Sequence, residues 1–156
     1  MTLRGQFGPE YDRAVKGADS RRQAESELQQ RAERRNQFEL KPLPAKTRSL
    51  YAASWEDIQA RFVDAPADAV QEADVLVARV MRDRGYPAEG FDDRSDFVSV
   101  DHPNLVEDYR AAHRTAAADS GGQVSTEDRR QAMVRFRSLF DTLLGEGNDL
   151  NARRAG

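Results

Sequence analysis

The strongest hydrophobic pattern of the chain lies between Asp64 and Gly85. Its apolar residues recur at intervals of three and four, which is the period of one face of an α-helix. They are Ala69, Val70, Ala73, Leu76, Val77, Val80 and Met81. Val75 and Ala78 widen the stripe, so we expect neighbours on more than one side of this helix. Because Asp64 suits a helix start and Gly85 a left-handed end, the pattern predicts the central helix of the protein.

Three further segments have helical spacing. The first runs from about residue 45 to residue 62 and has Trp55, the only tryptophan, in the middle of its apolar stripe. The second begins near Asp101, and the third begins near Ser125 and is predicted to end at Gly145. We therefore predict an all-α protein with a four-helix up-down bundle over about 45–145.

The N-terminal part of the chain has a different pattern. Residues 1–18 contain several glycines and few apolar residues, so we expect a flexible arm. A charged helix over 19–40 has only a narrow apolar stripe, and we predict that it is solvent-exposed and appended to the bundle. Two prolines make 41–45 a linker, and the bundle domain then occupies 46–145. Residues 146–156 are predicted to form a flexible tail.

The longest internal loop is predicted over residues 85–100. Glycine, proline and aspartate are frequent in its first part, as is typical of turns. The four residues 97–100 alternate weakly between apolar and polar, but an isolated strand has no partner in an all-α protein. We interpret them as extended chain that enters the next helix, with Asp101 as its N-terminal cap.

Composition argues against several classes of function. The chain has no cysteine, which excludes disulfides and thiolate metal sites. Its net charge is −3, and its basic clusters are interleaved with acidic or apolar residues, which disfavours nucleic-acid binding. No segment has the length of apolar sequence that spans a bilayer, and the N-terminus does not resemble a secretory signal. We therefore expect a soluble, cytoplasmic protein.

Residues with catalytic potential are few. The two histidines, His102 and His113, are eleven residues apart, or about 16 Å along a helix, so one helix cannot bring both to one metal ion. Phosphate-binding loops and the nucleophile elbow of hydrolases are not found in the sequence. The sequence thus indicates no catalytic residue, no metal site and no cofactor.

The leading hypothesis is a non-enzymatic protein-interaction or structural module. The charged helix over 19–40 would dock an unknown partner protein or a second copy of the chain, as an amphipathic helix docks into a groove. Its predicted contact residues, with Leu28 and Phe38 as exposed apolar anchors, are Leu28, Arg31, Arg35 and Phe38.

The alternative hypothesis is a small-ligand or metal-binding helical protein. Its pocket would lie between helices, near the predicted 85–100 loop, where aromatic side chains would line or cover a cavity. The candidate pocket residues are Tyr86, Phe91, Tyr109 and His113.

Two sequence blocks resemble a known group of proteins. They are Trp55 followed by Gln59 and Phe62-Val-Asp-Ala-Pro66, and Ser125-Thr-Glu-Asp128. Similar blocks occur in uncharacterised helical proteins of GC-rich bacteria, and the resemblance covers about residues 50–144. It implies a helical module and assigns no catalytic residue, because no activity is established for that group.

Overall fold

A computed structural model gives the arrangement of the helices. It describes residues 2–118 and 123–155, and for residues 146–155 it describes the backbone only. This part of the chain forms eight α-helices and no β-strand, which confirms the predicted all-α class. In chain order, the helices are α1 (Leu3–Phe7), α2 (Pro9–Gly17), α3 (Arg21–Arg35), α4 (Ala45–Arg61), α5 (Pro66–Asp83), α6 (Phe91–Asp101), α7 (Val106–Ala118) and α8 (Thr126–Ala155). Within the described ranges, no helix is both long and apolar enough to cross a membrane.

The chain divides into two compact units. The first comprises Met1–Glu39 and Tyr86–Glu107 and contains α1, α2, α3 and α6. The second comprises Leu40–Gly85 and Asp108–Gly156 and contains α4, α5, α8 and most of α7. This division differs from the predicted borders, which placed residues 86–107 inside a single bundle domain.

The core of the second unit is centred on α5. All seven apolar residues of the predicted stripe are buried in this helix. Val75, which was expected to widen the stripe, is 51% exposed, so that part of the prediction is wrong. The helix is followed by Gly85 at a φ of 101°, which is the left-handed end that the sequence predicts. The central helix was thus predicted correctly, although its buried face is narrower than expected.

Aromatic side chains link the other helices of the second unit. Trp55 of α4 is buried as predicted and stacks on Phe140 of α8, with their ring centroids 5.1 Å apart. Tyr109 of α7 makes an edge contact with Phe136 of α8 at 6.4 Å. The first contact joins helices that are distant in the sequence, the second joins consecutive helices, and both contribute to the apolar core around α5.

The last helix is longer than predicted. It continues past Gly145, where the sequence suggested an end, to Ala155. A glycine lowers the stability of a helix interior by about 1 kcal/mol relative to alanine. This cost alone is too small to end a helix. In the predicted tail, the side chains after residue 145 and the whole of Gly156 lie outside the described residues.

The predicted proline linker packs into the second unit. Leu43 is almost fully buried, and the backbone N–H of Lys41 donates a hydrogen bond of 2.7 Å to the carbonyl of Arg84. The guanidinium of Arg84 is fully buried and donates to the carbonyls of Lys41 at 2.7 Å and Leu143 at 2.8 Å. Arg84 therefore joins the entry to α4, the end of α5 and α8.

The predicted N-terminal arm contains two helices. Phe7 of α1 and Tyr11 and Ala14 of α2 are buried against Ala24 and Leu28 of α3. Leu3, Phe7, Tyr11 and Ala14 follow one another at intervals of four, four and three, so a helical period is present. The arm was predicted because glycines and a proline interrupt this period. Residues 1–18 therefore supply part of the core of the first unit.

Most of the charged helix is exposed as predicted, but its narrow apolar stripe is covered. Its apolar stripe is narrow, but Leu28 has no exposed surface because α1, α2 and α6 pack against α3. A helix with few apolar residues can still be an integral element when its neighbours cover that stripe. In the first unit, α3 is a packed helix and not an appended one.

The predicted 85–100 loop is also wrong in its second half, because Phe91–Asp101 forms α6. Gly90 precedes the helix, Asp92 and Asp93 lie in its first turn as the helix dipole favours, and Phe97 is among its buried residues. Asp101, which was expected to begin a helix, is the last residue of α6.

Candidate functional site

A groove with exposed apolar walls lies between α4 and α8 in the second unit. Its volume is about 600 Å³. It is lined by Trp55, Gln59, Phe62, Val63, Arg130, Met133, Val134, Arg137, Ser138 and Asp141. We refer to this region as the α4–α8 groove.

The floor of the α4–α8 groove contains an aromatic stack. Trp55 is buried below the groove and lies face to face with Phe140. The guanidinium of Arg137 lies 5.8 Å from the centre of the Trp55 ring, within the range of a cation–π contact. The indole N–H has no acceptor among the described residues, which is uncommon for a buried donor. The floor is therefore apolar and contains one unused hydrogen-bond donor.

The walls of the groove expose apolar side chains to water. Val63, just after the end of α4, is 83% exposed, and Val134 of α8 is 62% exposed. Met133 lies beside Val134 but points into the core, where it is almost fully buried. Single exposed valines are ordinary on protein surfaces, but here two of them line one concave surface.

Charged side chains surround these apolar residues. Arg137 donates to the side-chain oxygen of Gln59 at 3.1 Å and forms an ion pair with Asp141 at 3.3 Å. Arg130 forms an ion pair with Glu127 at 2.6 Å. All of these groups are exposed, so each pair contributes little to stability. The groove can thus bury apolar side chains at its centre and bind charged groups at its edge, as a protein-binding surface does.

The four residues predicted to bind a partner lie in the first unit and have partners within it. Arg31 is 7% exposed and donates at 2.7 Å to Glu10, whose side chain is fully buried. Arg35 donates to both carboxylate oxygens of Asp101 at 2.8 Å. Leu28 is buried, so its expected role as an exposed anchor is wrong. The binding of a partner by this set of residues stays a prediction.

Phe38, the other predicted anchor, is half-buried in an aromatic cluster. Its ring makes edge contacts with Phe97 at 5.2 Å and with Tyr86 at 5.7 Å. The guanidinium of Arg35 lies 4.9 Å from the Phe38 ring centre. Since its ring packs on three neighbours, Phe38 presents less apolar surface than the sequence suggested.

The candidate pocket residues fall into both units. Tyr86 is buried in the first unit, where its hydroxyl donates to Asp101, and Phe91 begins α6. Tyr109 is buried in the second unit, where Nδ1 of His113 also lies 2.8 Å from a carboxylate oxygen of Asp74. The assignment of these four residues to one ligand pocket stays a prediction.

Tyr51 of the second unit and Tyr11 of the first have a raised pKa. Partial burial, together with a hydrogen bond to Asp83, raises the pKa of Tyr51 to about 12. A hydrogen bond to Glu25 at 2.7 Å raises the pKa of Tyr11. Both hydroxyls therefore keep their protons to a higher pH than an ordinary tyrosine does. In the part of the chain that the structure describes, no three acidic or histidine side chains are grouped so as to hold a metal ion.

The residues that distinguish the groove were not predicted from the sequence. Met133 belongs to the apolar stripe of α8, which the 3–4 spacing reveals, whereas Val134 lies one position off that stripe. The available signal was this off-stripe valine, with Val63 directly after the predicted end of α4. Neither residue identifies a groove until α4 and α8 are placed side by side.

Comparison with known proteins gives no assignment. No protein-family model, no curated protein and no solved structure matches this chain. The resemblance to helical proteins of GC-rich bacteria therefore stays a prediction.

Proposed function

We propose that this protein is a non-enzymatic interaction module whose α4–α8 groove binds a helical segment of another protein chain. In this proposal α4, α5, α7 and α8 form an up-down four-helix body that holds the groove open. The interaction surface is thus moved from the charged helix over 19–40, where Leu28 is buried, to the second unit.

The observation that carries the proposal is the exposure of Val63 and Val134 on one concave surface. An apolar helix face that covers them gains about 25 cal/mol for each Å² of apolar surface removed from water. Helix-in-groove recognition uses apolar anchors at intervals of three and four, and a groove between two helices matches that spacing.

The proposal is tested by photo-crosslinking from the groove. A benzophenone amino acid replaces Val134 in one variant and Val75 in a matched control, since both valines are exposed on helices of the second unit. We expect a protein adduct from position 134 and none from position 75 when the variants are irradiated in an extract of the source cells. Equal labelling at the two positions would contradict the proposal.

Binding is then measured with the purified captured protein. Trp55 is the only tryptophan and lies in the groove floor, so its fluorescence reports occupancy directly. Val134→Asp should weaken binding by at least about tenfold, because it places a charge against an apolar contact. Val75→Asp should leave the affinity unchanged. If Val134→Asp binds as tightly as the unaltered protein, the groove is not the binding surface.

A further inference from the structure

A stripe of exposed side chains runs along α8 on the side of the groove. It consists of Arg130, Val134, Arg137 and Asp141, at intervals of four, three and four residues. Residues at these intervals lie on one face of a helix. The stripe extends over about three turns, or about 16 Å of helix axis.

The two ends of the stripe carry opposite charges, with Arg130 at the N-terminal end and Asp141 at the C-terminal end. If two α8 helices pack antiparallel about a two-fold axis, Arg130 of each copy faces Asp141 of the other, so the favourable contact is made twice. In the same register Val134 faces Arg137, whose methylene groups can cover an apolar side chain. The stripe is therefore complementary to itself in the antiparallel direction.

The ion pairs that these charges make within one chain are weak enough to be exchanged. Arg130–Glu127 and Arg137–Asp141 join exposed residues three and four positions apart on one helix. Exposed pairs of this kind contribute little to stability. Their loss costs little when the same groups find partners on another chain in a less hydrated setting.

We infer that the occupant of the α4–α8 groove is the α8 stripe of a second copy of this chain, packed antiparallel about a two-fold axis. This inference rests on the proposed function and specifies its partner. In the resulting dimer Val63 and Val134 of both copies lie at an interface, and two Arg130–Asp141 contacts fix its register. A different protein in the groove is the competing outcome.

The test is a charge exchange followed by sedimentation equilibrium of the full chain. The unaltered protein should dimerise as its concentration rises. Arg130→Glu and Asp141→Arg should each weaken dimerisation by at least about tenfold, because each creates two like-charge contacts. An equimolar mixture of the two variants should associate again as a heterodimer, since both contacts then join opposite charges. The double variant Arg130→Glu/Asp141→Arg should also dimerise, because the glutamate at position 130 of each copy then faces the arginine at position 141 of the other.

The controls separate this inference from the proposed function. Arg82→Glu makes the same charge change on an exposed residue outside the groove lining and should leave dimerisation unchanged. Circular dichroism checks that each variant is folded. A monomeric unaltered protein, or a mixture that does not associate, overturns the inference. If position 134 then still crosslinks a different protein, the proposed function stands and only the dimer inference fails. If nothing is crosslinked at position 134, the proposed function and the dimer inference both fail.

Discussion

Both units have an apolar core, but they differ in where their ion pairs lie. In the second unit α5 buries seven apolar residues, and ion pairs such as Arg61–Glu72 lie at the surface. In the first unit the carboxylate of Glu10 and the guanidinium of Arg31 are buried together at 2.7 Å. A buried ion pair roughly offsets its own desolvation, whereas buried apolar surface is a net gain. The second unit thus derives its stability chiefly from apolar burial, and the first depends in addition on the completeness of a charged network.

The contacts of the two interiors also differ in whether they leave a local pattern in the sequence. Arg31 and Glu10 are 21 residues apart, whereas Arg34–Asp96 and Arg35–Asp101 are separated by 62 and 66 residues. An apolar stripe leaves a local period in the sequence, while a pair of distant charges does not. Of the two units, the one stabilised by a local apolar pattern is therefore the easier to predict from the sequence.

The largest predicted effect is the removal of one member of the buried ion pair. Arg31→Met should destabilise the first unit by about 3–5 kcal/mol, because it leaves the carboxylate of Glu10 buried without its strongest partner. Hydrogen exchange of the α3 and α6 amides measures this free energy of opening. Arg22→Met, at an exposed position of the same helix, is the control and should change it by less than about 0.5 kcal/mol.

A double variant shows whether the charge itself is required. Glu10→Leu/Arg31→Met should recover most of the stability that Arg31→Met loses, because no unpaired charge then remains at that position. Equal losses in the single and the double variant would show that packing, and not charge, holds the two helices, and the contrast between the units would disappear.

The second unit should respond to the loss of apolar volume. Leu76→Ala should cost about 2–5 kcal/mol, since this side chain is 5% exposed in the α5 stripe. The adjacent Val75→Ala is the matched control, and its cost should stay within about 0.5 kcal/mol. Urea denaturation, monitored by the fluorescence of Trp55, measures the loss of stability in each variant. Similar costs at the two positions would mean that the buried face of α5 is assigned to the wrong side.

The helices that could be predicted from the sequence are those stabilised by a local apolar stripe. The stripe of α5 and most of that of α8 were predicted correctly, because their apolar residues follow the helical period over several turns. α6 was interpreted as loop and extended chain, since Val98 and Val100 are β-branched and alternate with polar residues. Its helix is supported by tertiary contacts, among them the ion pairs from α3 to Asp96 and Asp101, which no local window contains.

The candidate site was less predictable than the fold. Burial of Trp55 follows from its position in a stripe, but the groove above it depends on how far apart α4 and α8 lie. Periodicity identifies the residues that face a core, and Val134 is notable because it does not face one. An exposed concave surface is a property of the packed helices, so it becomes visible only when the tertiary structure is known.

A smaller effect is expected where α6 ends in the first unit. Asp101 accepts hydrogen bonds from Arg35 and from the hydroxyl of Tyr86, and Asp101→Asn removes the charge that strengthens both. We expect a loss of about 1–3 kcal/mol, measured by hydrogen exchange in the last turn of α6. Asp92→Asn, in the first turn, should lose at most the helix-dipole contribution of about 0.3–1 kcal/mol. A larger loss at Asp92 would argue that local helix electrostatics outweigh the contact with α3.

The smallest expected effect concerns a polar contact at the edge of the second unit. The pKa of Tyr51 is raised to about 12, whereas an unfolded chain releases the phenol proton near pH 10. Between these values the folded protein retains a proton that the unfolded chain has lost, so the free energy of unfolding falls as pH rises. Tyr51→Phe should reduce this decline, seen by comparing urea midpoints of both proteins near pH 9 and near pH 11. Ionisation of other groups affects both proteins, so only the difference between their slopes is informative. Parallel slopes would mean that Asp83 does not hold the phenol, and the stability of this unit would then rest still more on its apolar stripe.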